Sequence, residues 1–219
     1  MGLTLAFIVI LIVILFIAIK YTILAIQKAR YKKLSLRDKI IYKLSNNKYE
    51  LTNFYNLEKG ISYEFCVGEY YENLGYKVSF NGIEKGINDG GIDLIASKKT
   101  PINEKQFKTE MLLFQCKNYN KTSDLNQDLV RKFLGDCYVY LHSKNLLQNK
   151  NFTFTHIFCL SNELDSDNNI IRYEKFCKDH RNFDLQIKII PYNENNVKTN
   201  ERLKNILEIQ VYSKYTHII

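Results

Sequence analysis

The chain has 219 residues, 46% of them hydrophobic and 13% aromatic, which is enough for one domain with a buried core plus an appendage. This composition excludes an intrinsically disordered chain, and the content of two prolines and nine glycines excludes long flexible linkers. The net charge is +8, but residues 1–50 hold nine Lys or Arg and two acidic residues, so +7 of it lies there and bulk charge gives only weak support for nucleic-acid binding.

The five cysteines are odd in number and form no C-x-x-C pair, and the four histidines are scattered along the chain. This distribution argues against a structural zinc site and against a disulfide framework. Most of the cysteines fall in apolar segments, as small core residues do. The pattern indicates a reducing, cytosolic environment.

The N-terminus carries a long apolar run, Leu3 to Ile19, which contains no charge and continues in weaker form to Ile26. As a helix this run is about 26 Å long at about 1.5 Å per residue, close to the hydrocarbon thickness of about 30 Å. The lack of a preceding cation and of an A-x-A-like site argues against a cleaved signal peptide, and the all-round apolar character argues against a core helix. We predict a transmembrane anchor over residues 1–26, with lipid contact through residues 3–26.

Cations follow this run on its C-terminal side only, at Lys20, Lys28, Arg30, Lys32, Lys33, Arg37, Lys39, Lys43 and Lys48. The positive-inside rule then predicts a single-pass membrane protein with its C-terminal domain in the cytoplasm. Residues 27–59 are basic and polar and are predicted to form a juxtamembrane connector that can also lie against anionic lipid.

Residues 60–219 are predicted to form a mixed α/β domain. Tyr63, Val67, Tyr70 and Leu74 form one stripe of a helix that ends before Gly75. Further helices are predicted over residues 124–148, Asn168–His180 and 200–212, and strands over Tyr76–Phe80, Ile92–Ser97, Met111–Lys117, Phe152–Leu160 and Leu185–Ile190. Residues 81–91 are turn-rich, and residues 98–110 are predicted to be a long loop between antiparallel neighbours. This order of elements predicts a central sheet with helices outside.

Polar side chains stand out on two of these strands. Asp93 lies near the start of Ile92–Ser97 among apolar neighbours, where a charged group needs a partner or a metal. Gln115 and Lys117 are two residues apart on the next strand and therefore project from one face. Asp93 and Gln115 offer oxygen atoms of the kind that Mg²⁺ binds, and Lys117 can orient or deprotonate a water or stabilise a phosphate charge. Asp89, in an Asp-Gly-Gly sequence, is predicted to be a turn residue.

Four motifs occur in order along the chain: G-x-x-Y-E at Gly60 to Glu64, L-G-Y-K-V at Leu74–Val78, D-G-G-I-D-L-I-A at Asp89–Ala96 and Q-C-K at Gln115–Lys117. Together they resemble the Mrr-like restriction endonuclease family of the PD-(D/E)xK nuclease superfamily, over residues 58–190. The resemblance implies a restriction-endonuclease-like fold, with a mixed central β-sheet flanked by helices. It also implies cleavage of DNA phosphodiester bonds with Mg²⁺, or with Mn²⁺ in its place, in the restriction of foreign or modified DNA.

By position, the resemblance implies a catalytic set of Glu64, Asp93, Gln115 and Lys117, in which Glu64, Asp93 and Gln115 hold the metal. Gln115 stands where the wider superfamily has an acid, which lowers the negative charge of the site and predicts weaker metal binding. Each residue also has an ordinary structural interpretation. Asp93 could stiffen a turn, Gln115 could satisfy a backbone group, and Lys117 and Glu64 could be solvated surface charges.

Five cations flank the predicted site in sequence and are candidates for phosphate contacts, namely Lys98, Lys99, Lys121, Arg131 and Lys132. Each of them could instead be a solvated surface charge. A homodimer on DNA is expected by family analogy, and neither zinc nor a nucleotide cofactor is expected. Two alternatives stay open: a catalytically silent membrane-attached DNA-binding or scaffold module on the same fold, and a membrane-associated interaction protein that acts through its anchor and connector.

Overall fold

A computed structural model describes residues 2–85, 89–104, 106–118, 125–164, 168–181, 184–192 and 199–219, without the side chains of residues 2–12, 180 and 181. Contacts divide the chain into two compact units, Met1–Leu51 with Tyr212–Ile219, and Thr52–Val211. The predicted division at residues 26 and 59 stays a prediction.

The first unit contains helix α1 (Gly2–Lys33), helix α2 (Leu36–Leu44), the first turn of helix α3 (Lys48–Asn73) and a final 3-10 helix (Tyr212–Ile218). The Ser35 hydroxyl caps α2 by accepting a hydrogen bond from the Asp38 N–H at 3.2 Å. Ile40 and Leu44 are the buried apolar residues of α2. A helical N-terminus is thus confirmed, and helical structure continues through the predicted connector.

The predicted transmembrane anchor is not supported. Among the residues whose side chains the structure describes, no helix is long and apolar enough to cross a bilayer. Residues 1–12, over which much of the predicted anchor falls, lie outside the described side chains. The cytoplasmic location of the C-terminal part stays a prediction.

The second unit is built on a five-stranded sheet in the order β1-β2-β3-β4-β5. The strands β1, β2 and β3 are antiparallel neighbours, whereas β4 runs parallel to β3 and β5 runs parallel to β4. The bounds are Lys77–Ser79 for β1, Leu94–Asn103 for β2, Gln106–Lys117 for β3, Phe152–Leu160 for β4 and Leu185–Ile189 for β5. The other helices that the structure describes in this unit are α4 (Asn81–Lys85), α5 (Gln127–Ser143), α6 (Asn169–Arg181) and α7 (Glu201–Gln210). The prediction of a mixed central sheet flanked by helices is confirmed.

The core lies on both faces of this sheet because side chains alternate along β3. Leu113 joins the cluster formed with α5 and α6, which includes Phe133 and Phe158. Phe114 points to the other face, where its ring centroid lies 4.6 Å from that of Tyr71 on α3. Four of the five cysteines are buried, as their apolar surroundings predicted.

Three elements differ from the predictions. Helix α3 begins at Lys48, well before the predicted stripe that starts at Tyr63, and buries Phe54 in the added segment. The turn-rich residues 81–91 include the short helix α4. The predicted loop over residues 98–110 is instead a β-hairpin, in which Lys98 pairs with Glu110 and Lys99 with Thr109. We call its outer part, residues 98–108, the ribbon. Its described residues are exposed on both faces, so their sequence lacks the alternation that marks a half-buried strand.

Candidate active site

Asp93 lies immediately before β2 and is held against β3. Its backbone N–H donates a hydrogen bond to the Phe114 carbonyl oxygen at 2.8 Å. Its carboxylate Oδ2 accepts two hydrogen bonds, from Gln115 Nε2 at 2.5 Å and from the Cys116 backbone N–H at 2.6 Å. Asp93 is only 6% exposed. The structure therefore brings Asp93 and Gln115 together and fixes the orientation of the buried carboxylate.

Glu64 approaches Asp93 from helix α3. Its Oε2 is buried and has no hydrogen-bond partner among the residues that the structure describes. A Cβ atom built on Gly82 would lie 2.7 Å from this oxygen and 3.3 Å from the Asp93 Cα. The Glu64 carboxylate thus occupies space beside Asp93 that is open only because residue 82 has no side chain.

The electrostatics of the site follow from this burial. Burial raises the pKa of Glu64 to about 9, the negative charges of Asp93 and Asp89 add to this effect, and Lys117 opposes it. Burial also raises the pKa of Asp93, against the hydrogen bond from Cys116 and the positive charge of Lys117. Two buried carboxylates beside one lysine leave the site short of positive charge.

A divalent cation fits this donor set. Among the described residues, no group of three or more His, Cys, Asp or Glu side chains is placed to hold a metal ion. The site offers instead two carboxylates, and the Gln115 carbonyl oxygen can serve as a third donor because the amide nitrogen donates its hydrogen bond to Asp93. Mg²⁺ accepts one or two carboxylates and keeps several waters. The Glu64 oxygen without a partner is the atom that such an ion would satisfy.

Lys117 and Asp89 lie close enough to affect these carboxylates. Lys117 ends β3 on the face that Gln115 shares, and its charge lowers the pKa of both Glu64 and Asp93. Asp89 is a turn residue, as predicted, because its Oδ1 accepts a hydrogen bond from the Gly91 N–H at 2.7 Å. Gly90 and Gly91 have φ of 67° and 77°, a left-handed conformation that favours glycine.

Asn81 is a residue of the site region that the sequence did not point to. It is 2% exposed at the start of α4, and its Nδ2 donates hydrogen bonds to the carbonyl oxygens of Asp89 at 2.7 Å and Ile92 at 2.6 Å. An Asn-Gly pair after a strand is typical of a turn, so the local sequence carries no signal of this buried role.

The predicted phosphate contacts differ in how far the structure supports them. Lys98 donates from Nζ to the Leu74 carbonyl at 3.1 Å and lies 5.3 Å from the centroid of the Tyr76 ring, so it holds the end of α3. Lys99 is exposed and shares the strand face of Asp93, about 20 Å away along β2.

On α5, Arg131 pairs with Asp128 at 3.8 Å with both side chains largely exposed, and Lys132 is exposed. Lys121 lies outside the described residues. The contacts of Lys98 with Leu74 and Tyr76 give it a structural role as well, and all five cations stay predictions as phosphate contacts.

Comparison with known proteins gives one family. Residues 58–153 match the family model Mrr_cat, described as restriction endonuclease. No curated protein matches the chain. Among solved structures, the chain is similar to the MspJI restriction endonuclease in complex with a 27-mer oligonucleotide, with 13% identity and a TM-score of 0.38 over 64% of this chain and 29% of that chain. The resemblance to restriction endonucleases that the motifs indicated is therefore confirmed over residues 58–153, the segment that contains all four predicted catalytic residues.

Proposed function

We propose that this protein is a divalent-metal-dependent endonuclease that hydrolyses phosphodiester bonds in DNA. The observation that carries the proposal is the pair of buried carboxylates, Glu64 and Asp93, next to the Gln115 carboxamide and Lys117. All of these residues lie in the segment that matches restriction endonucleases. The description of that family, restriction endonuclease, supports DNA as the substrate. Restriction of foreign or modified DNA is the biological role that we propose with it.

Glu64, Asp93 and Gln115 would hold the metal, with Mg²⁺ expected and Mn²⁺ able to replace it. A divalent ion supplies a Lewis acid for a phosphate oxygen and lowers the pKa of a bound water. The protein's own contribution is to keep the donors in place before any ligand arrives. Two hydrogen bonds to Asp93 Oδ2 fix that carboxylate on β3, so little reorganisation is needed.

Lys117 contributes the positive charge of the site. Its ammonium group can hold a phosphate oxygen and stabilise the negative charge that grows on the phosphate as water attacks. It can also orient that water, because an ammonium group has three donors. Cutting both strands commonly needs two active sites, so a homodimer on DNA is part of the proposal by family analogy.

The test is cleavage of supercoiled plasmid by the full chain with Mg²⁺, Mn²⁺ or EDTA. We expect cleavage with either metal and none with EDTA. Asp93→Asn and Lys117→Met should each lower the rate by at least about 100-fold, the usual cost of removing a catalytic group. Asp179→Asn and Lys108→Met change the same residue types at exposed positions and should leave the rate unchanged.

Two results oppose the proposal in different ways. Wild-type rates in both Asp93→Asn and Lys117→Met would show that these residues do not carry the reaction. Tight DNA binding without metal-dependent cleavage would favour the catalytically silent DNA-binding module.

A further inference from the structure

Asn81 and Gly82 together hold, through hydrogen bonds, the backbone that leads into Asp93, and we call this pair the bracket. The Asn81 amide nitrogen donates to the carbonyls of Asp89 and Ile92, at the two ends of a four-residue segment. The backbone N–H of Gly82 donates to the next carbonyl, that of Asp93, at 2.7 Å. Because all three acceptors are carbonyl oxygens, only donor groups can occupy these positions, which fixes the orientation of the Asn81 carboxamide.

The bracketed segment needs such a restraint. It contains Gly90 and Gly91, both in left-handed conformations, and glycine loses more conformational freedom on folding than any other residue. Asp93 itself is held on its far side by β3, through its N–H and its carboxylate. On its near side the described hydrogen bonds come from the first two residues of α4.

The same bracket sets the place of Glu64. Its Oε2 lies 2.7 Å from where a Cβ of Gly82 would be, so the position of α4 decides how closely Glu64 can approach Asp93. Asn81 ties α4 to the loop, and Gly82 leaves room for the carboxylate. The two carboxylates that we propose to bind the metal are thus held together by residues outside the proposed ligand set.

We propose that Asn81 is a positioning residue of the metal site: its carboxamide fixes the segment from Asp89 to Ile92 so that Asp93 and Glu64 face one cation together. This inference rests on the proposed function. Residues that orient metal ligands typically change metal affinity by about 10- to 100-fold when they are replaced.

The test uses the full chain without DNA, in two measurements. The first is the Kd for Mn²⁺ by isothermal titration calorimetry. The second is amide hydrogen exchange in EDTA, expressed as the exchange rate at Cys116 divided by the rate at Leu113 in the same strand. The Cys116 N–H is chosen because it donates to the Asp93 carboxylate. Asn81→Asp keeps the side-chain shape and removes the donors, and Asn81→Ala removes the whole carboxamide.

Asn200→Ala is the matched control, since Asn200 also makes two side-chain hydrogen bonds, from Leu203 N–H and to Glu69 Oε1, at the start of α7. We expect both Asn81 variants to raise the Kd for Mn²⁺ by about 10-fold or more and to raise the relative exchange rate at Cys116. Asn200→Ala should lower stability and leave both readouts within about twofold.

Wild-type values of both readouts in the Asn81 variants would overturn the inference. If neither Asn81 variant folds, Gly82→Ala tests the inference instead, because its methyl group displaces Glu64. This variant must bind Mn²⁺ more weakly if the bracket positions the two carboxylates, and an unchanged Kd would overturn the inference. Absence of Mn²⁺ binding in the wild type would remove the proposed function instead. The exchange ratio would then still show whether Asn81 holds Asp93.

Discussion

Replacing Glu64 by Gln should stabilise the metal-free protein at neutral pH, although it removes a proposed metal ligand. Glutamine has nearly the same shape and does not ionise. In the folded protein, burial and the neighbouring carboxylates raise the pKa of Glu64 from its ordinary 4.5 to about 9. The folded state therefore keeps this side chain neutral at pH 7, whereas the unfolded chain ionises it.

The size of the effect follows from linkage. A folded pKa above the unfolded value contributes stability in full below pH 4.5, and this contribution is lost as the pH rises towards about 9. Each pH unit between the unfolded pKa and pH 7 lowers the free energy of unfolding of the wild type by about 1.4 kcal/mol. The gain from Glu64→Gln at pH 7 therefore has an upper bound of about 3 kcal/mol. Because Asp93 shares the site, we expect Glu64→Gln to gain about 1–3 kcal/mol at pH 7.

The assay is urea unfolding of the wild type and the variant in EDTA at several values between pH 5 and pH 8. The difference in free energy of unfolding should widen as the pH rises. Glu208→Gln, at an exposed position on α7, should show no such widening. Added Mg²⁺ should stabilise the wild type and leave Glu64→Gln unaffected. A difference that stays constant across this range, or a variant less stable than the wild type at pH 8, would refute the reasoning.

Two further changes test the packing and the pH response of the second unit. Gly68→Ala places a Cβ in steric overlap with Cε1 of the buried Phe80 ring. We therefore expect a loss of about 1–3 kcal/mol in the free energy of unfolding, measured with urea. The control is Gly60→Ala on the same helix, where no neighbouring atom lies within 4 Å of the added Cβ. This change should leave the free energy of unfolding unchanged or raise it by up to about 1 kcal/mol. Equal effects at Gly60 and Gly68 would contradict the packing. Burial lowers the pKa of His156 below its ordinary 6.5, and Asp184 opposes this effect. The unfolded chain therefore binds more protons at this residue than the folded chain does. The free energy of unfolding should fall as the pH drops below about 6.5. His156→Gln should lose this part of the pH dependence of the urea midpoint, and an unchanged slope between pH 7.5 and 5.5 would show that His156 does not cause it.

Continuous apolar segments were the most predictable part of the fold. Strand β4 has the predicted bounds, Phe152–Leu160, because a run of apolar and β-branched residues between polar stretches suits a strand buried on both faces. The ribbon was missed because solvent on both faces removes the alternation that identifies a strand. The early start of α3 was missed because Phe54 is the only buried residue in residues 48–60, so this segment shows no buried stripe of its own.

The site divides in the same way. Alternation along β3 places Gln115 and Lys117 on one face, and the pairing of Leu94 with Phe114 then puts Asp93 beside Gln115. The approach of Glu64 depends on where α3 packs and on the missing side chain of Gly82, neither of which a local pattern records. Asn81 was missed because its acceptors are backbone carbonyls, which every residue has and which no sequence motif distinguishes.

The ribbon has a consequence for how the chain can tolerate insertions and deletions. Its two strands pair with each other beyond the point where β1 pairs with β2, which ends at Ser97. Two residues added to each strand would lengthen it by about 7 Å and leave the pairing at Leu94 and Phe114 untouched. Homologous chains can therefore differ in the length of this hairpin while Asp93 and Gln115 keep their contact.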